Sequence, residues 1–350
     1  MGDRMSTINV NSIDKESGST LTLGGSGTTV DIPSGATFDT TGVTVTGLPA
    51  KSNIILNGGF DIWQRQISFT STGTNEYSAD RFRTEGHGHS TTISRQTFTP
   101  SQTDVPNYPT YFCRIASSST VASGQYWGFQ QRVERPQFMS GNGEYTLSFW
   151  VKSTAPVSAG AFTFGIASMT QVSAPALTTS WQKVTATRTI ALSGSYVSIY
   201  IVRLGEGQGN FTVDIADVQL EIGSVANSFE RRNVAEELAL CQRYYEKSNN
   251  LSTYPGVGSF EFSGAYNSRD GTASSVNRYN PVHFAVCKRA FPTMTIYDGA
   301  NTSGKISTSA GSNGYSAFTS SAGVTGVMVY GTGFPSHYGN YFHWVAESEL

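Results

Sequence analysis

The chain has 350 residues, 23 Lys and Arg against 25 Asp and Glu, a formal net charge of −2, 14% charged and 12% aromatic residues, and 37 glycines. That length points to two or three domains, and a near-neutral chain without a basic run is a poor electrostatic match for a polyphosphate backbone, so no nucleic acid partner is expected. No stretch approaches the ~18 apolar residues of a membrane span, so no membrane insertion is expected, and Cys113, Cys241 and Cys287 are scattered without CxxC spacing, which supports neither a disulfide framework nor a zinc site.

The first residues, MGDRMSTINVNSID, carry no apolar core and do not read as a secretory signal. Residues 6–48 are rich in Ser, Thr and Gly, with short alternating segments at Leu21/Leu23, Val30/Ile32 and Val43/Val45 between Gly-Ser and Gly-Thr turns. A single copy has too few apolar side chains to offset ~1–2 kcal/mol of backbone entropy per ordered residue. Residues 1–50 are therefore expected to form an intertwined β stalk in which three copies lend each other neighbours.

From Asn53 the texture changes, and residues 51–230 read as a jelly-roll β-sandwich. Strands are expected at 91–98, 111–116, 126–133, 145–152, 161–166, 182–190, 197–204 and 212–220, with apolar residues alternating or running together as two packed sheets require. Turn residues at 141–143, 193–194 and 205–209 separate them. The last of these, Gly-Glu-Gly-Gln-Gly, lacks the spacing of a phosphate loop and leads into a strand, so it reads as a hairpin turn.

Residues 231–248 contain the one convincing helix of an otherwise all-β chain. Asn233 fits an N-cap, with Glu236 and Glu237 in the first turn where the helix dipole favours negative charge. Val234, Leu238, Cys241 and Tyr245 recur at spacings of four, three and four. Such a stripe either docks on a neighbouring β-domain or serves as the seam of a homotrimer; the stalk pattern favours the trimer seam.

Residues 249–350 form a second set of strands, expected at 259–266, 282–288, 293–297, 316–319, 324–330 and 341–347, and are read as a C-terminal β-sandwich tip. Polar loops at 264–281 and 299–316 are of the kind that carry binding surfaces on a rigid scaffold.

The blocks NGGFDIWQR, YSADRFR, LSFWVKS and DVQLEIGSVANSFERR, in that order, followed by ELALCQRYYEKS, resemble the carbohydrate-binding-module-like jelly roll of phage tail-fibre and other virion appendage proteins. The Gly/Thr-rich start is similar to the virion-attachment region of that class. The final YFHWVAESEL resembles its aromatic-then-acidic fibre tips, with Glu-Ser-Glu-Leu a mild departure from their usual Asp-Ala-Glu-Leu. The resemblance implies a virion tail appendage made in the host cytoplasm and released by lysis. Such a protein would be held to the tail or other virion proteins by its N-terminus. It also implies a structural calcium where the first and last strands meet, with Asn57, Asp61 and Asp217 as oxygen ligands; no other cofactor is expected.

No catalytic constellation stands out: Walker A, HExxH, GxSxG and EF-hand patterns are missing from the sequence. His87 and His89 alternate as a metal pair would on a strand, but two histidines alone do not complete a site. Asp80, Glu85, Asp104 and Glu134 could supply a carboxylate pair for glycoside cleavage only if folding brought two of them within ~5–10 Å. Glycan binding needs aromatic surfaces beside amides or carboxylates. The sandwich offers Tyr108, Tyr111, Tyr126, Trp127 and Gln130. The tip offers Tyr266, Arg269, Tyr279, Tyr315, His337, Tyr338 and Tyr341 and is the favoured surface, because loop aromatics are less readily explained as core. The expected function is a non-enzymatic phage tail fibre that binds host surface polysaccharide through three weak sites on one axis. The alternatives are a capsid or tail decoration (cement) protein and, behind it, a polysaccharide depolymerase.

Overall fold

The computed structural model describes residues 53–72, 75–87, 89–135, 143–166, 171–190, 194–256, 264–268, 278–308, 311–334 and 338–350. The expected stalk, residues 1–50, lies outside the described residues. Residues Pro49–Leu350 form one compact unit.

The unit is all-β apart from one helix. Its first part is a two-sheet antiparallel sandwich of jelly-roll type. One sheet has six strands, β1 (Ser68–Ser71), β3 (Thr91–Thr97), β4 (Tyr111–Ser117), β11 (Thr212–Ile222), β6 (Gly143–Ser153) and β9 (Gln182–Ile190), adjacent in that order. The other has five, β2 (Phe82–Gly86), β5 (Trp127–Glu134), β10 (Tyr196–Leu204), β7 (Thr163–Ile166) and β8 (Gln171–Ser173). Alternation assigns the faces. Leu147, Phe149 and Val151 of β6 point inward with Val213 and Ile215 of β11, and meet Trp127, Phe129, Phe164 and Ile199 from the opposite sheet. Removing one of these buried rings would cost about 3–5 kcal/mol.

The outward set of the six-stranded sheet includes Ser148, Trp150 and Asp214. A bulge breaks this alternation in β11, where the register against β6 shifts between Ala216 and Gln219 and Asp217 takes φ +50. The extra residue turns the Asp217 side chain outward beside Ala216. Opposite the bulge, a Cβ on Gly58 would meet the Val218 carbonyl oxygen at 2.1 Å, so only glycine permits this approach.

The helix α1 spans Val234–Gln242, and the Asn233 side chain caps it by accepting from Ala235 N. It ends earlier than the spacing pattern suggests, because Tyr245 belongs to a strand, β12 (Tyr245–Lys247), that pairs with residues a hundred positions away. The last part is an antiparallel sheet built on β19 (Asn340–Glu347). One stretch of β19 pairs with β12 and β15 (Thr293–Tyr297), and the other with β13 (Tyr266–Ser268) and β16 (Lys305–Thr308). From β16 the sheet continues through β17 (Tyr315–Ser320) and β18 (Gly326–Gly331) to an edge strand, β14 (Arg278–His283). Pro281 is tolerated within β14 because an edge strand has one side without a ladder. Expected strand residues 259–263 lie outside the described residues, and the expected strand 282–288 is instead the end of β14 followed by loop.

Candidate functional site

Four of the blocks that carry the virion-appendage resemblance, at 57–65, 77–83, 217–232 and 237–248, converge on one place, the joint between the sandwich, α1 and the C-terminal sheet, while LSFWVKS lies within β6. The Asn53 side chain accepts from Ile55 N and Leu220 N and donates to the Val218 carbonyl. The Asn57 amide nitrogen donates to the Ile62 and Asp80 carbonyls, its oxygen accepts from Ile62 N, and its backbone N–H donates to Glu237 Oε1 at 2.6 Å. Asp80 is buried and takes both Gln64 N and Gln64 Nε2; burial pushes its carboxyl above the usual range against the pull of Arg65. Arg81 stacks 3.5 Å over the Tyr244 ring and pairs with Glu349, and Arg65 lies 3.8 Å over Tyr245 and bonds Glu347 and Glu349. The acidic ending therefore folds back on the sandwich. At the other end of α1, the Gln242 carbonyl accepts from Lys288 Nζ, which also pairs with the buried Glu246.

The expected calcium ligands separate. Asp61 and Asp217 come together, but the Arg231 guanidinium lies between them, 3.0 Å from Asp61 and 3.3 Å from Asp217. Asn57 turns inward and its side-chain oxygen is taken by Ile62 N. This set does not fit a calcium ion: one of its oxygens is committed elsewhere and a fixed cation already bridges the other two. Asp217 is nonetheless raised to about 7, first by burial and further by Asp61, with Arg231 and Lys183 pulling the other way.

The proposed seam also divides. Val234 is 55% exposed and Leu238 half-buried, whereas Cys241 and Tyr245 are buried within the chain's own joint. Because α1 stops at Gln242, the four residues do not form one helical stripe. Burial pushes the Cys241 thiol far up, as for an inert core cysteine. His89 is buried on Ser117 Oγ at 2.9 Å, while His87 is exposed, so they do not face a common ion. The carboxylates have separate partners: Asp80 on Gln64, Glu85 on Tyr200, Glu134 on Arg243 and Tyr244, with Asp104 exposed. Among the described residues no group of three or more His, Cys, Asp or Glu could hold a metal.

Of the sandwich aromatics, Trp127 is core, and Tyr111 and Tyr126 lie beneath Arg95 and Arg203. Gln130 is fully buried, and Tyr108 is 66% exposed. Of the tip residues, Tyr266 stacks on Phe342 and Tyr315 on Phe334, both against the core, and Tyr341 is buried. Arg269 and His337 lie outside the described residues. Tyr338 and Tyr279 are exposed. Tyr279 heads a row that the sequence does not reveal: it pairs with Tyr330 on β18, which pairs with Phe318 on β17. The three rings stack at 5.1 and 5.3 Å between centroids, on one face of the sheet. Beside them runs an open groove of about 540 Å³, lined by Met294, Ser303, Ala317, Phe318 and Tyr330 among others.

No protein-family model matches the sequence, and no curated protein matches it. Solved structures that resemble the chain include the CBM22-1 xylan-binding domain from Paenibacillus barcinonensis Xyn10C, 12% identical with a TM-score of 0.31, over 51% of this chain and 100% of that one. A family 11 carbohydrate-binding module from Clostridium thermocellum is 11% identical with a TM-score of 0.29, over 46% and 99%. The enzymatically active domain of bacteriophage CBA120 tailspike protein 4 is 12% identical with a TM-score of 0.30; the match covers 49% of this chain and 21% of that one. Overlap at this level says nothing of what the chain binds.

Proposed function

We propose that this chain is a virion appendage protein of the phage tail-fibre kind, which recognises host surface glycan through its C-terminal sheet and does no chemistry on it. Its N-terminal residues attach it to the tail or another virion protein, three copies assemble, and the protein is made in the host cytoplasm. The sequence blocks described above support the class. The single observation that carries the binding surface is the Tyr279–Tyr330–Phe318 row beside its groove.

Exposed aromatic rings with neighbouring hydroxyls and carbonyls match the two needs of a sugar, an apolar patch and hydrogen-bond partners. Base-level affinity at such a shallow site is weak, and three copies would raise it through effective concentration. Fluorescently labelled chain incubated with host cells tests the reading. Staining should be competed by purified host polysaccharide and fall at least tenfold in Tyr279→Ala combined with Phe318→Ala. Staining that survives both would remove the tip from the proposal, and binding to empty capsids in place of cells would favour a decoration role.

A further inference from the structure

The C-terminal sheet parts along one line. β15 and β16 lie end to end on the same side of β19, Tyr297 facing His343 and Ser307 facing Tyr341. β17 pairs with β16 at Lys305 and Ile306, then runs on past β15 with no ladder between the two among the described residues. The groove of about 540 Å³ is this gap, with Met294 and Ile296 on one bank and Ala317 and Thr319 on the other.

Gly304 gauges the width. Its N–H donates to the Ile296 carbonyl at 2.8 Å, and its carbonyl accepts from Ala317 N at 3.0 Å. A single residue thus bridges the banks, which sets them two ladder spacings apart and leaves room for one strand. The same bonds fix which backbone groups face the gap. In an antiparallel strand the N–H and C=O of one residue point to the same side, and those of the next residue to the other. Ile296 points away from β19, so Met294 does too; Ala317 points away from β18, and so does Thr319. The far side of β19 agrees, because the Trp344 carbonyl, opposite Ile296, is turned to Ser248 N. The Met294 and Thr319 backbone groups therefore open into the gap from both banks, and such groups require partners.

We infer that this slot takes an extended polypeptide strand of a partner protein, which pairs with β15 on one side and β17 on the other. The match is in hydrogen bonds and not in charge: among the described residues no charged side chain lines the groove. The two faces of the sheet set the partner's pattern. Met294 and Ala317 pack on the core beneath the gap, whereas Phe318 lies on the other face with Tyr330. Side chains of the incoming strand alternate accordingly, apolar ones toward the core and polar ones toward solvent. The inference goes beyond glycan recognition by the aromatic row and does not rest on it.

The probes are fluorescein-labelled Lys-Thr-Val-Thr-Val-Thr-Lys-amide and its analogue N-methylated at both valines, followed by fluorescence anisotropy with the full chain. Main-chain pairing is tolerant of sequence, so the plain peptide should bind saturably. The analogue, which lacks the N–H groups of one ladder, should bind at least about tenfold more weakly. Thr319→Pro removes an N–H that points away from β18, so the melting temperature should hold while the peptide binds about 2–10-fold more weakly. Should that variant fail to fold, the methylated analogue on the parent chain carries the test. Tyr279→Ala, outside the slot, should leave peptide binding unchanged. The inference is overturned if the plain peptide does not bind, if the analogue binds equally, or if folded Thr319→Pro binds as the parent does. Self-association abolished by Thr319→Pro, with the peptide silent, assigns the slot to a second copy and also overturns it. Glycan binding that persists while the peptide is silent leaves the tip reading standing alone; peptide binding without glycan binding leaves the slot alone.

Discussion

Asn57 and Glu237 meet across 180 residues, the backbone N–H of the first donating to the carboxylate of the second at 2.6 Å. The bond ties the opening turn of the sandwich to the first turn of α1. Arg232 closes the same carboxylate from the other side and also reaches the Asn53 and Ile55 carbonyls. Residues spread over three resemblance blocks thus form one clasp. Most of those blocks meet at the joint of the unit, while the aromatic row of Tyr279, Tyr330 and Phe318 lies outside all of them.

The clasp has a measurable strength. Glu237→Ala leaves the buried Asn57 N–H without an acceptor and takes from Arg232 its carboxylate, leaving that guanidinium only the Asn53 and Ile55 carbonyls, a loss of about 2–4 kcal/mol. Glu237→Gln keeps an oxygen for Asn57 and should lose less. Urea denaturation of both variants checks the order; equal stability of Glu237→Ala and the parent chain would show that the joint does not rest on this carboxylate.

Asp217 links stability to pH. Its carboxyl is raised to about 7, chiefly by burial, from about 3.9 in an unfolded chain. Between those values the folded state keeps a proton that the unfolded state releases, so stability falls as pH rises through the window and levels off above it. Asp61, Asp80 and Glu237 are raised in the same direction. Asp217→Asn should remove its share of the slope, melting higher relative to the parent at about pH 8 than at about pH 5. An unchanged slope in the variant would assign the dependence to other groups.

Arg231 occupies the place between Asp61 and Asp217 where the resemblance implied an ion. The melting temperature of the parent chain should be the same in calcium and in a chelator. In Arg231→Ser two carboxylates are left facing each other, and calcium should then raise the melting temperature. Stabilisation of the parent by calcium would contradict the arrangement described here.

Many strands are legible because they carry their own alternation: 182–190 coincides with β9 of the sandwich, and 293–297 with β15 of the C-terminal sheet. Other strands have little to alternate. Ser68–Ser71 is a polar edge, and Phe82–Gly86 contains one core side chain in five residues. Tyr245 continues the helical spacing in the sequence, whereas its strand partner, Glu347, is a hundred residues away. The sites were harder still. Tyr279 was visible as an exposed candidate, but its row with Tyr330 and Phe318 depends on cross-strand register, which no local pattern encodes. The outward turn of Asp217 depends on a bulge, where an aspartate stands in a conformation that glycine would announce.

The proposed three-copy assembly, expected from the apolar-poor first fifty residues, is checked by multi-angle light scattering of the full chain. The mass should be three times that of one chain. A monomer at micromolar concentration would leave the stalk proposal without support and remove the avidity on which weak tip sites depend.

The most direct measurement of the central claim is binding of labelled chain to purified host surface polysaccharide, compared between the parent and the Tyr279→Ala, Phe318→Ala double variant. The aromatic row predicts saturable binding that weakens at least tenfold in a variant that still melts as the parent does. Equal binding by both proteins, or none by either, would contradict glycan recognition through this sheet.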